Sequence, residues 1–142
     1  MTIRPDDEEA GLLVASTAVG SDKFEPQEHP TTAGDLLALF DSLEDAGRGY
    51  LEVRFERVDY PMLTIGLRNE RAVLQCFTAP GELDVMQGDG CLPPGGLFDV
   101  PVMDEAVSFD SEFVVNGARA RTVLSEFAAG NPLDRLGTWQ RL

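Results

Sequence analysis

The chain has 142 residues and contains little positive charge. It carries 11 Lys and Arg residues against 25 Asp and Glu residues, for a formal net charge of −14. Binding to the phosphates of nucleic acids or to an anionic membrane surface depends on Lys and Arg, so the composition argues against both kinds of partner. A basic protein fits this charge balance better, because opposite charges speed association.

Histidine and cysteine are also scarce. The single histidine, His29, lies in a proline-rich segment outside the predicted amphipathic elements, so no catalytic triad can be built around it. The two cysteines, Cys76 and Cys91, lack the spacing of a zinc site. We expect two free thiols, with a disulfide between them as the alternative. The sequence therefore predicts no catalytic residue, no metal and no cofactor.

Long apolar runs are missing as well. No stretch approaches the roughly 20 apolar residues that a membrane-spanning helix needs. The N-terminus places Asp6, Asp7, Glu8 and Glu9 before the apolar run at 12–15, which reverses the charge order of a secretory signal. We therefore expect a cytoplasmic protein that has no membrane partner.

The patterns that are present divide the chain at residue 30. Residues 1–30 are acidic and interrupted by prolines and glycines, and we interpret them as a partly flexible N-terminal arm that can add an edge strand. Residues 31–142 show the periodic patterns of secondary structure and form, in this interpretation, a single domain.

Two amphipathic helices are predicted within this domain. Thr32 is a candidate N-cap with Asp35 at the third helical position, and Gly47 ends the apolar stripe that follows. Asn116 is the candidate cap of the second helix, which Gly130 ends. Each helix has one apolar face, which indicates that both pack against a sheet.

Alternating apolar residues predict antiparallel strands at 50–57, 62–68 and 71–78. Shorter strands are predicted at 82–87, 97–102 and 106–109, and the last segment, with Trp139, is predicted to return to the sheet. The Gly/Pro-rich loop at 88–96 has no Lys and no following helix, so we interpret it as a wide connection rather than a phosphate site. The expected fold is α+β, with an antiparallel sheet of about five to six strands and two helices packed on it.

Between Ala72 and Ala118 the sequence has no Lys, Arg or His. We call this segment the acidic stretch, and we predict that its eight acids bind a partner: Glu82, Asp84, Asp89, Asp99, Asp104, Glu105, Asp110 and Glu112. The alternative is an acidic surface that only maintains solubility. On a strand, Asp110 and Glu112 would share a face and could together meet a partner's Arg or Lys. We favour such a contact over catalysis by paired carboxylates.

The closing part of the chain resembles a known family. The segment Ala120–Gly130 reads ARTVLSEFAAG and is followed by Trp139, which is similar to the closing helix and Trp-bearing last strand of the Imm1 family of bacterial immunity proteins. The likeness covers residues 31–142. The sequence departs from the family at 115–118, where a Pro-Leu start of the helix is frequent, and at Gln140, where an acidic residue is common.

The resemblance implies a cytosolic antitoxin that binds and neutralises a cognate toxin. Such toxins are often nucleases or nucleic-acid deaminases, whose substrate grooves are basic, and the acidic stretch would bind there. An alternative is an acidic secretion chaperone or adaptor that holds an effector protein before export. A third hypothesis is a hydrolase that uses paired carboxylates.

Overall fold

The computed structural model describes residues 11–19, 21 and 23–142. Its elements in chain order are β1 (Leu12–Thr17), β2 (Phe24–Thr31), α1 (Ala33–Asp45), β3 (Arg48–Phe55), β4 (Met62–Arg68), β5 (Arg71–Ala79), β6 (Glu82–Met86), β7 (Leu97–Val102), β8 (Glu105–Asp110), a 3-10 helix (Ser111–Phe113), β9 (Val115–Asn116), α2 (Gly117–Ala128), α3 (Leu133–Leu136) and β10 (Trp139–Arg141).

Eight of these strands form one antiparallel sheet. Its order is β10-β6-β5-β4-β3-β1-β2, with the short β9 paired to the start of β5, while β7 and β8 form a separate two-stranded sheet. The α+β class and the antiparallel sheet are confirmed. The expected number of five to six strands is too low, because β1 and β2 of the N-terminal segment and the two-residue β9 also join the main sheet.

The N-terminal segment that we interpreted as an arm supplies β1 and β2. β1 lies between β3 and β2, and its Leu12 and Val14 side chains are buried in the main core. β2 contains Pro26 and Pro30 and is exposed along most of its length, so its place depends on the backbone pairing with β1. The expectation of flexibility at residues 1–10, 20 and 22 lies outside the described residues.

The helix boundaries follow the capping residues that the sequence predicts. The Thr32 hydroxyl accepts a hydrogen bond of 3.1 Å from the backbone N–H of Asp35, and the Asn116 side chain accepts one of 2.8 Å from that of Arg119. Gly47, just beyond α1, has a φ of 89°, a conformation that glycine adopts without strain. No helix in the described part of the chain combines the length and the apolar composition that a bilayer crossing requires.

The two long helices cover one face of the sheet, which we call the helix face. Their buried side chains, Leu36, Phe40 and Leu43 from α1 and Ala120, Val123, Leu124 and Phe127 from α2, pack on the inward side chains of the strands. β10 returns to the sheet as predicted and pairs there with β6, and the indole N–H of Trp139 donates to the Leu133 carbonyl at 2.9 Å.

The β7–β8 hairpin lies across the opposite face, which we call the hairpin face. Val100 of the hairpin belongs to a second, smaller core with Val73 and Val85 of the sheet. Gly66 of β4 permits this close approach, because a Cβ there would collide with the Pro101 carbonyl oxygen. The small second core therefore depends on a glycine as well as on apolar side chains.

Arg68, at the end of β4, also holds the hairpin. Its Nε donates to the Asp99 carbonyl at 2.7 Å, and its guanidinium carbon lies 4.5 Å from the centre of the Phe98 ring. The charged end of Arg68 is therefore used to fix the base of the hairpin rather than to neutralise a carboxylate.

Candidate functional site

The eight acids of the acidic stretch separate into two groups, and the first group has partners within the protein. Asp84 forms a salt bridge with Arg141, and Glu82 lies 3.6 Å from the same guanidinium. Asp84 is opposite Cys76 in the sheet, on the helix face. These two acids therefore lie at the β6–β10 edge and are engaged in holding β10.

Asp89 and Asp104 bind backbone N–H groups. The two carboxylate oxygens of Asp89 accept hydrogen bonds of 3.0 Å, one from the backbone N–H of Cys91 and one from that of Asn116. Burial alone would raise the pKa of Asp89, but these hydrogen bonds outweigh it and hold the pKa below its usual range. Asp104 accepts a 2.7 Å hydrogen bond from the backbone N–H of Phe24, which joins the hairpin turn to β2.

The second group consists of Asp99, Glu105, Asp110 and Glu112, which we call the hairpin acids. All four are exposed. Within residues 11–19, 21 and 23–142, none of them forms a salt bridge with Lys or Arg. Asp99 accepts a hydrogen bond from the Ser108 hydroxyl on the neighbouring strand. These charges are therefore directed to solvent or to a partner.

The prediction that Asp110 and Glu112 share one face of a strand is wrong. β8 ends at Asp110, and Glu112 lies in the 3-10 helix, so strand alternation does not relate the two side chains. Instead, Asp110 is opposite Leu97, and Asp99 follows Leu97 by two residues along β7. Asp99, Asp110 and Leu97 consequently share the outer face of the hairpin.

An open groove of about 370 Å³ adjoins this outer face. Its lining is mostly apolar and comes from the 92–97 loop and the start of the 3-10 helix: Leu92, Pro93, Pro94, Gly95, Gly96, Leu97 and Ser111. Leu97 is 70% exposed and shares the outer face of the hairpin with the carboxylates of Asp99 and Asp110. We predicted this loop as a connection only, and the groove was not predicted, although Leu92 and Leu97 among the Gly and Pro residues were a signal for it.

Hydrogen bonds fix the shape of the groove. The buried Ser111 hydroxyl donates to the Pro93 carbonyl at 2.7 Å and accepts from the Gly96 N–H at 3.3 Å, while the Ser111 N–H donates to the Gly96 carbonyl at 2.9 Å. The Gly88 N–H donates to the Glu112 carbonyl at 2.7 Å. The loop is therefore attached at both ends to the segment that carries Glu112.

A second polar group lies beneath the hairpin and was not singled out from the sequence. The Tyr50 hydroxyl donates to Glu52 at 2.7 Å, on the same face as the buried Thr64. Burial raises the pKa of Glu52 despite this hydrogen bond, and the charge of Glu28 adds to the effect. Glu28 itself forms a bidentate pair with Arg54, with both distances 2.8 Å.

The thiols have the properties of structural cysteines. Cys76 and Cys91 are free and lie on opposite sides of the sheet, one on the helix face and the other beside the hairpin core. Burial raises the pKa of Cys76 to about 12 and raises that of Cys91, where the Asp89 carboxylate adds to the effect and Arg71 opposes it. A reactive cysteine needs a lowered pKa. In the part of the chain that the structure describes, no group of three His, Cys, Asp or Glu residues is placed to hold a metal ion.

Comparison of the sequence with models of known protein families finds no match, and comparison with curated proteins finds no similar sequence. The resemblance to Imm1 immunity proteins therefore stays a prediction that depends on the residues quoted for it.

Proposed function

We propose that this protein is an immunity protein that binds a basic toxin through the hairpin acids and thereby neutralises it. The observation that carries the proposal is that one hairpin and the 3-10 helix after it expose four acids, Asp99, Glu105, Asp110 and Glu112, none of which forms a salt bridge within the described residues. The arginines Arg54, Arg121 and Arg141 do pair with carboxylates elsewhere. Exposed acids without a salt bridge also occur elsewhere, Glu25, Asp45, Glu56 and Asp134 among them, but those on the hairpin and the 3-10 helix lie in the segment from Ala72 to Ala118, which has no Lys, Arg or His.

Carboxylates of one sign repel one another and weaken the compact state, so their concentration on one element has a cost. A basic surface would remove this repulsion on binding. Complementary charge would also raise the association rate by attracting the partner over a distance of about 10 Å at moderate salt. The substrate groove of a nuclease or nucleic-acid deaminase is basic because it receives phosphates, and the hairpin acids would occupy the phosphate positions.

Whether the partner is a toxin is tested by capturing it and then expressing it in cells with and without this chain. Immobilised full-length protein retains basic proteins from a native lysate, which a salt gradient elutes for identification by mass spectrometry. We expect a multidomain protein whose C-terminal part kills cells unless this chain is co-expressed. Lost secretion of an otherwise harmless effector would instead indicate the adaptor function.

A charge-matched pair of variants tests the surface itself. In the first, the hairpin acids are neutralised as Asp99→Asn, Glu105→Gln, Asp110→Asn and Glu112→Gln. The control neutralises four exposed acids elsewhere, Glu25→Gln, Asp45→Asn, Glu56→Gln and Asp134→Asn. We expect association with the toxin at low salt to slow by about tenfold or more in the first variant only. If association slows equally in both variants, the attraction comes from the net charge of the protein rather than from the hairpin acids.

A further inference from the structure

The groove beside Leu97 has a composition that the surface charge does not explain. Repulsion among carboxylates requires no apolar floor, yet Leu92, Pro93, Pro94 and Leu97 line an open concavity of about 370 Å³ at the base of the hairpin. Leu97 has the largest exposed fraction among the large apolar side chains of the described residues. Binding sites for small ligands span roughly 300–1,000 Å³, so the groove has room for one large side chain.

The charges around the groove specify what kind of side chain can enter. Asp110 lies directly opposite Leu97, Asp99 follows on the same face of β7, and Glu112 is the neighbour of the lining residue Ser111. An acidic segment would be repelled from this position. A segment with Arg or Lys on both sides of an aromatic or aliphatic residue has both of the complementary features.

The groove is also held in shape before anything binds. Ser111 is buried, and its hydroxyl connects the Pro93 carbonyl to the Gly96 backbone through two partly buried hydrogen bonds. A cavity whose walls are already ordered does not lose conformational freedom when it is filled. Buried anchors of this kind, surrounded by polar contacts, carry most of the binding energy at protein interfaces.

We infer that the groove receives an aromatic or aliphatic side chain from a basic segment of the toxin, whose flanking Arg or Lys residues reach Asp99, Asp110 and Glu112. This inference rests on the proposed function, and it adds an anchor that controls dissociation to a surface that controls association. In this arrangement Leu97 contributes apolar contact with the bound side chain, and the neighbouring acids attract the flanking Arg or Lys residues.

Two peptides of equal charge test the inference, Arg-Arg-Trp-Arg-Arg and Arg-Arg-Gly-Arg-Arg, both with blocked ends. Each is titrated into the full-length protein while the backbone amide NMR signals are followed. We expect the Trp peptide to bind about tenfold more tightly and to shift the amides of the 92–97 loop. Leu97→Ala should remove this advantage and leave the affinity for the Gly peptide unchanged. Leu142→Ala, which removes an apolar side chain that is 58% exposed, serves as the control.

The other outcomes are separable. Equal affinity for both peptides would overturn the anchor and leave the acidic surface in place. If neither peptide binds, the proposed function loses its electrostatic support together with the anchor. A Trp advantage that survives Leu97→Ala would place the anchor elsewhere. Self-association of the protein that Leu97→Ala abolishes would identify a second copy of the chain as the occupant and overturn the inference.

Discussion

The two faces of the central sheet are covered by different kinds of structure. On the helix face, two amphipathic helices bury a continuous apolar core that draws on both helices and on six strands of the sheet. On the hairpin face, β7 and β8 cover a smaller core and turn charged residues outward. The difference suggests that the helix face supplies most of the stability, while the hairpin face presents the surface available to a partner.

Ion pairs occur on both sides of the sheet, since Glu28 pairs with Arg54 on the strand face that carries Tyr50 and Glu52. Asp41 of α1 pairs with Arg121 of α2 at 2.9 Å, and Asp84 pairs with Arg141. The cation nearest to the hairpin, Arg68, contacts the Phe98 ring and a backbone carbonyl instead of a carboxylate. Asp41 and Asp84 therefore have Arg partners, whereas the hairpin acids, like exposed acids such as Asp45, form no salt bridge within the described residues.

The largest expected effect comes from removing apolar volume on the helix face. Leu74 is fully buried in the main core, and Leu74→Ala should lower the free energy of unfolding by about 3 kcal/mol through lost contacts and a cavity. Val100→Ala, in the hairpin core, should cost about 1.5 kcal/mol. Urea denaturation measures both. A loss for Val100→Ala as large as that for Leu74→Ala would contradict the idea that the helix face supplies most of the stability.

Gly66→Ala tests how closely the hairpin is attached. The added Cβ would collide with the Pro101 carbonyl oxygen and lie 2.9 Å from Val100 Cγ2, so we expect a loss of about 2 kcal/mol. Hydrogen exchange should accelerate in residues 97–110 and stay slow in α2. The control is Gly34→Ala in α1, where a Cβ meets nothing within 4 Å. Uniform acceleration across the protein would show that the hairpin does not open by itself.

Asp89→Asn should destabilise the protein by about 1 kcal/mol, because an amide replaces a carboxylate that accepts two backbone hydrogen bonds. The pKa of Asp89 is below its usual range in the folded state. Its stabilising contribution is therefore fully present above the ordinary pKa and is lost as pH falls through the folded pKa. Urea denaturation of the unchanged protein and of Asp89→Asn between about pH 7 and pH 2 measures their free energies of unfolding. We expect the difference between the two free energies to disappear in acid. A difference that does not change with pH would contradict the assigned role.

Glu52→Gln should stabilise the protein at neutral pH, in contrast to Asp89→Asn. Burial raises the pKa of Glu52, so the folded protein favours the neutral form, and stability is lost as pH rises through the folded pKa. An amide at this position avoids the charge and can still accept the Tyr50 hydroxyl. We expect a small gain in the urea midpoint at neutral pH that disappears in acid. A loss at neutral pH would mean that the ionised carboxylate stabilises the fold.

The smallest effect is expected for the salt bridge between the helices. The Asp41 and Arg121 side chains are 47% and 45% exposed, so solvent screens their attraction. Asp41→Asn should leave the urea midpoint unchanged within experimental error, at both low and high salt. A midpoint that falls at low salt alone would show that this pair contributes more than its exposure indicates.

Much of the fold could be predicted from local patterns. The caps Thr32 and Asn116 and the strands at β3, β4 and β5 lie where the sequence analysis placed them, because capping and alternation depend on residues a few positions apart. β2 was not predicted as a strand, because its Pro-interrupted, exposed sequence shows no alternation, and it is held by the pairing with β1 and by the contacts of Phe24 and Glu28 with Asp104 and Arg54. β9 was also missed, because two residues are too few to show an alternating pattern.

The sequence by itself determined the excess of acid, the cation-free stretch from Ala72 to Ala118 and the amphipathic helices, since these are properties of composition and spacing. Only the tertiary structure decided which acids are free. Asp84 meets Arg141 and Asp89 meets backbone N–H groups through contacts between distant segments, whereas Asp99 and Asp110 lie on the outer side of a hairpin. The groove at Leu97 likewise exists only where the loop and the 3-10 helix meet, because neither segment forms a concave surface alone.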